Sequence, residues 1–209
     1  MKVKNKLFLS FLQYDWWKIV GVSLVIAAVL GFGYNYKDKA KDDETLEIFV
    51  SASTKDLSFQ DDLHKKVEGD GILTVNCFSL LPSDLQFNVL ASTYLSGISD
   101  LFLLGESVLS SHTEYLAYTQ EGTGETFDSI KELPISLYDG DSGGKRGIKV
   151  YDKDDVSYNE GKKFSSWFSF EETTYLFVSS ESSNADSKTK EGKSLLWEAA
   201  YYFLTLGLE

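Results

Sequence analysis

The sequence predicts an α/β chain, with one N-terminal transmembrane helix followed by a single domain built on a β-α-β-α-β unit. Three observations carry that prediction. Residues 16–36, WWKIVGVSLVIAAVLGFGYNY, hold no charge from Ile19 to Gly33 and are bracketed by aromatic side chains. Three strand-like runs, rich in β-branched and aromatic residues, follow between residues 46 and 104, with helical patterns between them. After the apolar stretch about 170 residues remain, a length that suits one domain.

At a rise of ~1.5 Å per residue, a helix from Trp16 to Tyr36 covers about 30 Å, roughly the bilayer hydrocarbon thickness. Trp16 and Trp17 at one end, and Tyr34 and Tyr36 at the other, are side chains that settle at headgroup interfaces. A buried core helix would show a polar face, and this stretch shows none. Within residues 1–15, Leu7 to Leu12 is also apolar and either lies at the inner interface or extends the helix. Lys2, Lys4, Lys6 and Lys18 precede or open the run against Asp15 alone, whereas Lys37, Lys39 and Lys41 are outweighed by Asp38, Asp42, Asp43, Glu44 and Glu47. A short tail before a long acidic domain predicts a single-pass cell-membrane protein, with its N-terminus cytoplasmic and its C-terminal domain extracellular. A cleaved signal peptide would need a small-x-small site, but the run ends in Gly-Phe-Gly-Tyr-Asn-Tyr. The only cysteine, Cys77, lies too far downstream for a lipid tether. The membrane is thus the first expected partner, through residues 16–36.

Composition narrows the function. A net charge of −12 argues against nucleic acid and against broad contact with anionic headgroups. One cysteine excludes an internal disulfide framework, while 12 Tyr and 14 Phe supply a substantial core. Arg146 is the only arginine, a lysine bias that suggests an AT-rich bacterial genome.

Residues 37–45, KDKAKDDET, are charged and aperiodic and read as a linker into a domain at 46–209. Leu46–Ser53 reads as a buried strand. Residues 55–68 form a loose amphipathic helix on Leu57, Leu63 and Val67, stopped by Gly69 and Gly71. Ile72–Leu80 is a second strand. Pro82 and Ser83 open the next helix, with Ser83 as N-cap and a body running through Leu85, Val89, Leu90 and Tyr94 to Gly97. A third strand, Leu101–Leu104, leads into Gly105-Glu106-Ser107 and a short helix. Such units form parallel sheets through right-handed crossovers and take ligands near the C-terminal strand ends. Beyond them, residues 119–129 read as a loop, Gly147–Tyr151 and Thr173–Ser179 as strands, and Ser180–Gly192 as a polar loop. Leu195–Leu206 reads as an apolar closing helix packed on the sheet. That helix is apolar on nearly every side, so its surplus either covers strand edges or meets another protein.

Three stretches of this domain resemble the type II extracytoplasmic solute-binding proteins of ABC importers. Leu95-Ser96-Gly97-Ile98-Ser99-Asp100-Leu101-Phe102 resembles the family's small-residue turn and Pro-Asp-aliphatic strand, with Ser99 in place of proline. Gly144-Lys145-Arg146-Gly147-Ile148-Lys149-Val150-Tyr151 is similar to the strand entering the family's hinge, with Arg146 in place of an aromatic. Tyr175-Leu176-Phe177-Val178 resembles the strand that returns from the second lobe. The resemblance implies one lobe of the periplasmic-binding-protein type II fold, truncated or single-lobed, on a membrane-anchored chain of the Gram-positive type. It also implies an ABC permease or another envelope protein as partner, and a small polar solute as the ligand class. Only residues 152–172 separate the two hinge-like strands, too few for the lobe that would close over a ligand. The other expectation is therefore a bitopic interaction or scaffold protein with no small-molecule ligand.

Ligand-binding residues are expected at the strand ends: Ser51 and Ser53 after the first strand, Ser79 after the second, and Glu106 and Ser107 after the third. Their hydroxyls, with nearby backbone amides, suit a polar solute, and helix capping is the competing role. Asp100 precedes its strand and reads as a turn or capping residue. Asp139-Gly140-Asp141-Ser142-Gly143-Gly144 fails the calcium-loop pattern, because the twelfth position is Val150 or Asp152 rather than Glu. Gly140–Lys145 fails the phosphate-loop spacing, since Arg146 follows the lysine. His64 and His112 lack zinc-ligand spacing, Cys77 sits in an apolar strand, and no Gly-x-Ser-x-Gly elbow is present. Neither a cofactor nor a metal is expected, and no catalytic residue is assigned.

Overall fold

Six strands hydrogen-bond in the order β3-β1-β4-β8-β6-β5. The computed structural model describes residues 41–139 and 146–209. The apolar stretch 16–36 lies outside the described residues, among which no helix is long and apolar enough to cross a membrane. Ala40–Glu209 forms one compact unit.

The expected β-α-β-α-β unit is present. Strands β1 (Thr45–Val50), β3 (Thr74–Ser79) and β4 (Leu101–Gly105) are parallel, with β1 between the other two. The crossovers carry helices α1 (Ser58–Val67) and α2 (Phe87–Thr93). On the far side of β4, strand β8 (Thr174–Val178) runs antiparallel to both β4 and β6 (Arg146–Tyr151), and the short β5 (Leu137–Asp139) closes the edge. The sheet is therefore mixed, and the fold is α/β.

Side-chain alternation along the strands explains why both faces are covered. Leu46, Ile48 and Val50 of β1, Leu101 and Leu103 of β4, and Leu176 and Val178 of β8 join one core. Phe49, Phe102, Leu104, Tyr175 and Phe177 point the other way into a second core with α2 and α3 (Glu106–Ser111). The first core is the larger and takes α1, α4 (Glu125–Lys131) and α7 (Leu195–Leu208). Gly147 of β6 lies under the Phe177 ring, where a Cβ would collide.

Several boundaries depart from the sequence pattern, each for a local reason. The first strand ends at Val50, and Ser53–Thr54 form a separate strand, β2, which pairs antiparallel with β7 (Phe168–Ser169). Helix α1 begins at Ser58, whose amide and hydroxyl bond the Asp56 carboxylate, so Phe59 takes the buried position and Leu57 is exposed. The second helix starts at Phe87, not at Ser83. Asp84 accepts the Leu81 amide at 3.0 Å and closes a turn first, leaving Ser83 exposed and without a capping role. Part of the loop expected at 119–129 is α4, which lays Phe127 and Ile130 against α7.

The apolar surplus of the closing helix is absorbed inside the domain. Trp197 meets Phe127 of α4 edge-on at 5.0 Å, and Phe203 meets Phe59 of α1 at 5.6 Å. Glu198, buried on the same helix, accepts the Thr126 hydroxyl at 2.9 Å and pairs with Lys193 at 3.3 Å.

The connection from β6 to β8, too short for a lobe, folds back as a strap. Its first half is a self-bonded turn: Asp152 accepts Lys149 Nζ at 2.7 Å and the Asp154 and Asp155 amides at 3.0 and 3.2 Å. That contact raises the pKa of Lys149 and lowers that of Asp152. Helix α5 (Val156–Asn159) completes the turn, with Tyr158 Oη donating to the Lys149 carbonyl at 2.6 Å. The second half, α6 (Phe164–Trp167) and β7, buries Phe164, Trp167 and Phe168 in the larger core. Phe203→Ala removes a fully buried ring that contacts Phe59, Phe164 and Trp167. Urea denaturation of the variant is expected to show a loss of about 3–5 kcal/mol in unfolding free energy.

Candidate functional site

Strands β1, β3, β4 and β6 all end on the side of the sheet where β8 begins, so their C-terminal ends meet the strap there. A crevice of about 420 Å³ opens at this place, lined by Ser51, Leu81, Ser107, Lys153, Glu171 and Glu172 among others. Its position follows from topology: parallel strands deliver their last residues to one edge, and the turns into the helices leave a groove.

Of the five expected ligand residues, the structure brings Ser51 and Ser107 to this crevice. Ser51 is buried, and its Oγ accepts the Gly105 amide at 2.9 Å, tying the end of β1 to the end of β4. Ser53 is placed outside the crevice lining, in the β2–β7 pair opposite Ser169. Ser79 is the last residue of β3, in register with Val50 and also outside the lining. Glu106 is exposed, and its amide donates to the Thr173 carbonyl at 3.0 Å.

The residue that organises the crevice is Glu172. One carboxylate oxygen accepts the Ser107 amide at 2.7 Å and the other accepts the Ser107 hydroxyl at 2.7 Å. The donors at the start of α3 are thus used by the chain itself, and Ser107 receives a carboxylate rather than capping its own helix. Gly105 makes the approach possible, because a Cβ there would collide with the Glu172 side chain. Glu172 gave no signal in the sequence. It lies in a Phe-Glu-Glu-Thr-Thr run that reads as a polar approach to a strand, and its partner is 65 residues earlier.

The remaining charge on the rim is balanced, with Glu171 and Lys153 both exposed. Further along the chain from Leu81, Pro82 and Ser83 of the lining, Leu85 and Val89 are apolar and exposed, at 105 % and 71 %. A larger depression of about 580 Å³ lies at the opposite end of the sheet, between α4 and the start of α7. Its wall carries Lys188 and Lys193 beside Glu125 and Asp186, and Lys193 is already paired with Glu191 and Glu198.

Chemistry at these places is sparse. Among the described residues no three His, Cys, Asp or Glu side chains group as metal ligands. Burial pushes the Cys77 thiol up to about 12, away from the thiolate form that reacts. His112 stacks on Tyr115 with ring centroids 5.0 Å apart and holds Glu114 at 3.1 Å.

Comparison with known proteins returns no match: no protein-family model, no curated protein and no solved structure is significantly similar to this chain. Function therefore has to be argued from the geometry alone.

If Gly105 exists to admit Glu172, the two positions must be energetically coupled. Gly105→Ala is expected to cost about 1–3 kcal/mol by chemical denaturation, in the range of small overpacking changes. In a Glu172→Ala background most of that cost should vanish, and equal costs in both backgrounds would refute the coupling.

Proposed function

We propose that the chain is a membrane-anchored, extracytoplasmic module built on a single lobe of the solute-binding fold. It works by contact with another envelope protein, an ABC permease being the first candidate, rather than by carrying a free solute. The observation that carries this reading is Glu172. The strand-end donors available to a ligand at β4 are filled by the chain's own carboxylate, held by two bonds of 2.7 Å.

Two further features support it. The strands that resemble the family's hinge pair, β6 and β8, are direct neighbours in the sheet, and the connection between them is pinned into the core. Tight small-molecule sites usually bury 70–90% of the ligand between opposing walls, and this lobe has one wall. Exposed Leu85 and Val89, a few residues beyond the lining residues Leu81, Pro82 and Ser83, suit a protein contact better than a solute. The anchor is argued from the composition of residues 16–36, and the short acidic stretch after it keeps the domain near the membrane surface.

The solute-carrying reading has one observation in its favour: about 420 Å³ falls within the usual range for ligand pockets. The two readings separate in one pair of measurements. A photo-crosslinking residue at Leu85 or Glu171, expressed in intact cells, is expected to trap one defined membrane or envelope protein. Titration calorimetry of the purified chain with sugars, amino acids, peptides and divalent metals should give no heat. A saturable heat with any of these solutes, or recovery of the uncrosslinked chain alone, would reverse the order of the two readings.

A further inference from the structure

The end of the sheet opposite the crevice holds a buried carboxylate with an incomplete set of partners. Asp100 stands immediately before β4 and is 1 % exposed. Its Oδ2 accepts the Glu47 amide at 2.8 Å and Asn184 Nδ2 at 3.3 Å, while Oδ1 accepts nothing. Asn184, fully buried, donates the same Nδ2 to the Thr45 carbonyl at 2.8 Å and to that of Asp42 at 3.5 Å. Its amide orientation is therefore fixed, and its Oδ1 is also without a partner, as are the hydroxyls of Ser99 and Ser182. Asp100 Oδ1 and Asn184 Oδ1 are both acceptors as they stand, and neither can satisfy the other without a proton.

The charged groups on the surrounding elements do not neutralise Asp100. Glu47 on β1 is the nearest and is itself acidic. Asp42 and Glu44 at the chain's entry, and Glu181 on the segment after β8, are acidic as well, and the exposed Lys41 pairs with Glu44. A carboxylate buried without a cation is costly to keep charged, and a neutral acid is the low-cost alternative.

We infer that Asp100 and Asn184 form a proton-dependent clasp on residues 42–47, where the chain enters the domain. A proton on Asp100 Oδ1 converts the one oxygen that lacks a donor into a donor among acceptors, giving an acid–amide pair with Asn184. Loss of that proton leaves a bare buried charge, and the clasp loosens. Asn184 grips Asp42 and Thr45 through their carbonyls, Ser183 Oγ donates to the Asp42 carbonyl at 3.0 Å, and the Ser179 amide donates to the Asp100 carbonyl at 2.8 Å. Opening therefore reaches both the entry segment and the loop after β8. In function, the clasp sets how firmly the domain holds its own linker according to external pH.

Burial is the dominant cause of the shift that supports this, raising the Asp100 pKa from 3.8 to about 6 with help from the Glu47 charge and against the Glu47 amide and the Ser182 and Asn184 side chains. The folded chain thus holds this proton more tightly than the unfolded chain. The contribution to stability is full below the ordinary carboxylate range and is lost as pH rises through about 6.

The test uses the full chain in detergent micelles, with Asp100→Asn as a permanent mimic of the neutral acid. Near pH 4 the unfolding equilibria of variant and wild type should agree. At pH 8 the variant should be favoured by up to about a hundredfold, the size that a shift of about two pH units allows. Hydrogen exchange of residues 41–47, corrected for the intrinsic rate, should increase in wild type as pH rises through 6 and stay flat in the variant. A variant that is less stable than wild type at pH 8, or that does not fold there, overturns the clasp. So does a pH dependence shared by both proteins.

Discussion

Phe59, Phe164, Trp167, Phe168 and Phe203 meet at ring-centroid distances of 5.0–5.7 Å, several of them edge to face. Three of these rings belong to the strap between β6 and β8, and the others come from α1 and α7. Aromatic pairs of this kind add about 0.5–1.5 kcal/mol beyond their area burial, so five interlocked rings hold the strap firmly. Without that cluster the chain from 152 to 173 would be a loose excursion from the sheet. With it, β7 is placed beside β2, the backbone amides of Lys55 and Asp56 find the Trp167 carbonyl, and Glu172 arrives over the end of β4. The crevice and its occupant are consequences of aromatic packing several residues away.

The same cluster explains how the strand ends are closed. A sheet flanked on both faces needs its strand ends covered, since unpaired amides and carbonyls there must find partners or water. The strap covers them with few residues. The Ser51 hydroxyl takes the Gly105 amide, the Thr173 carbonyl takes that of Glu106, and Glu172 takes that of Ser107. Each of these groups lies where a ligand would otherwise bind, and each is already satisfied.

Much of this architecture was legible in the sequence, because local patterns dictate it. Ile48–Val50 and Leu101–Leu104 are apolar on consecutive positions, as a strand buried on both faces must be, and the glycines between them mark the ends of helices. What stayed hidden depends on contacts between residues far apart. Helix α4 passed for a loop because Gly122, Thr123 and Gly124 precede it, and its Phe127 and Ile130 find their purpose only against α7. Ser83 had the residue type of an N-cap, but Asp84 closed a competing turn first. The site was legible as a place and not as a mechanism. Topology put Ser51 and Ser107 at the strand ends, whereas no local pattern connects Ser107 to Glu172.

The two ends of the sheet are closed by the same kind of group under different conditions. At the C-terminal ends of the strands, Glu172 has donors for both oxygens and remains partly in contact with solvent. At the other end, Asp100 has donors for one oxygen only and is shut off from water. Burial separates the two, because at Asp100 it penalises the charged form by more than the remaining donors offset. A fully bonded carboxylate is fixed in place by its donors. A half-bonded, buried one has two states of comparable energy, separated by a single proton. The domain thus has a rigid end, facing the crevice, and a responsive end, at the point where the linker enters.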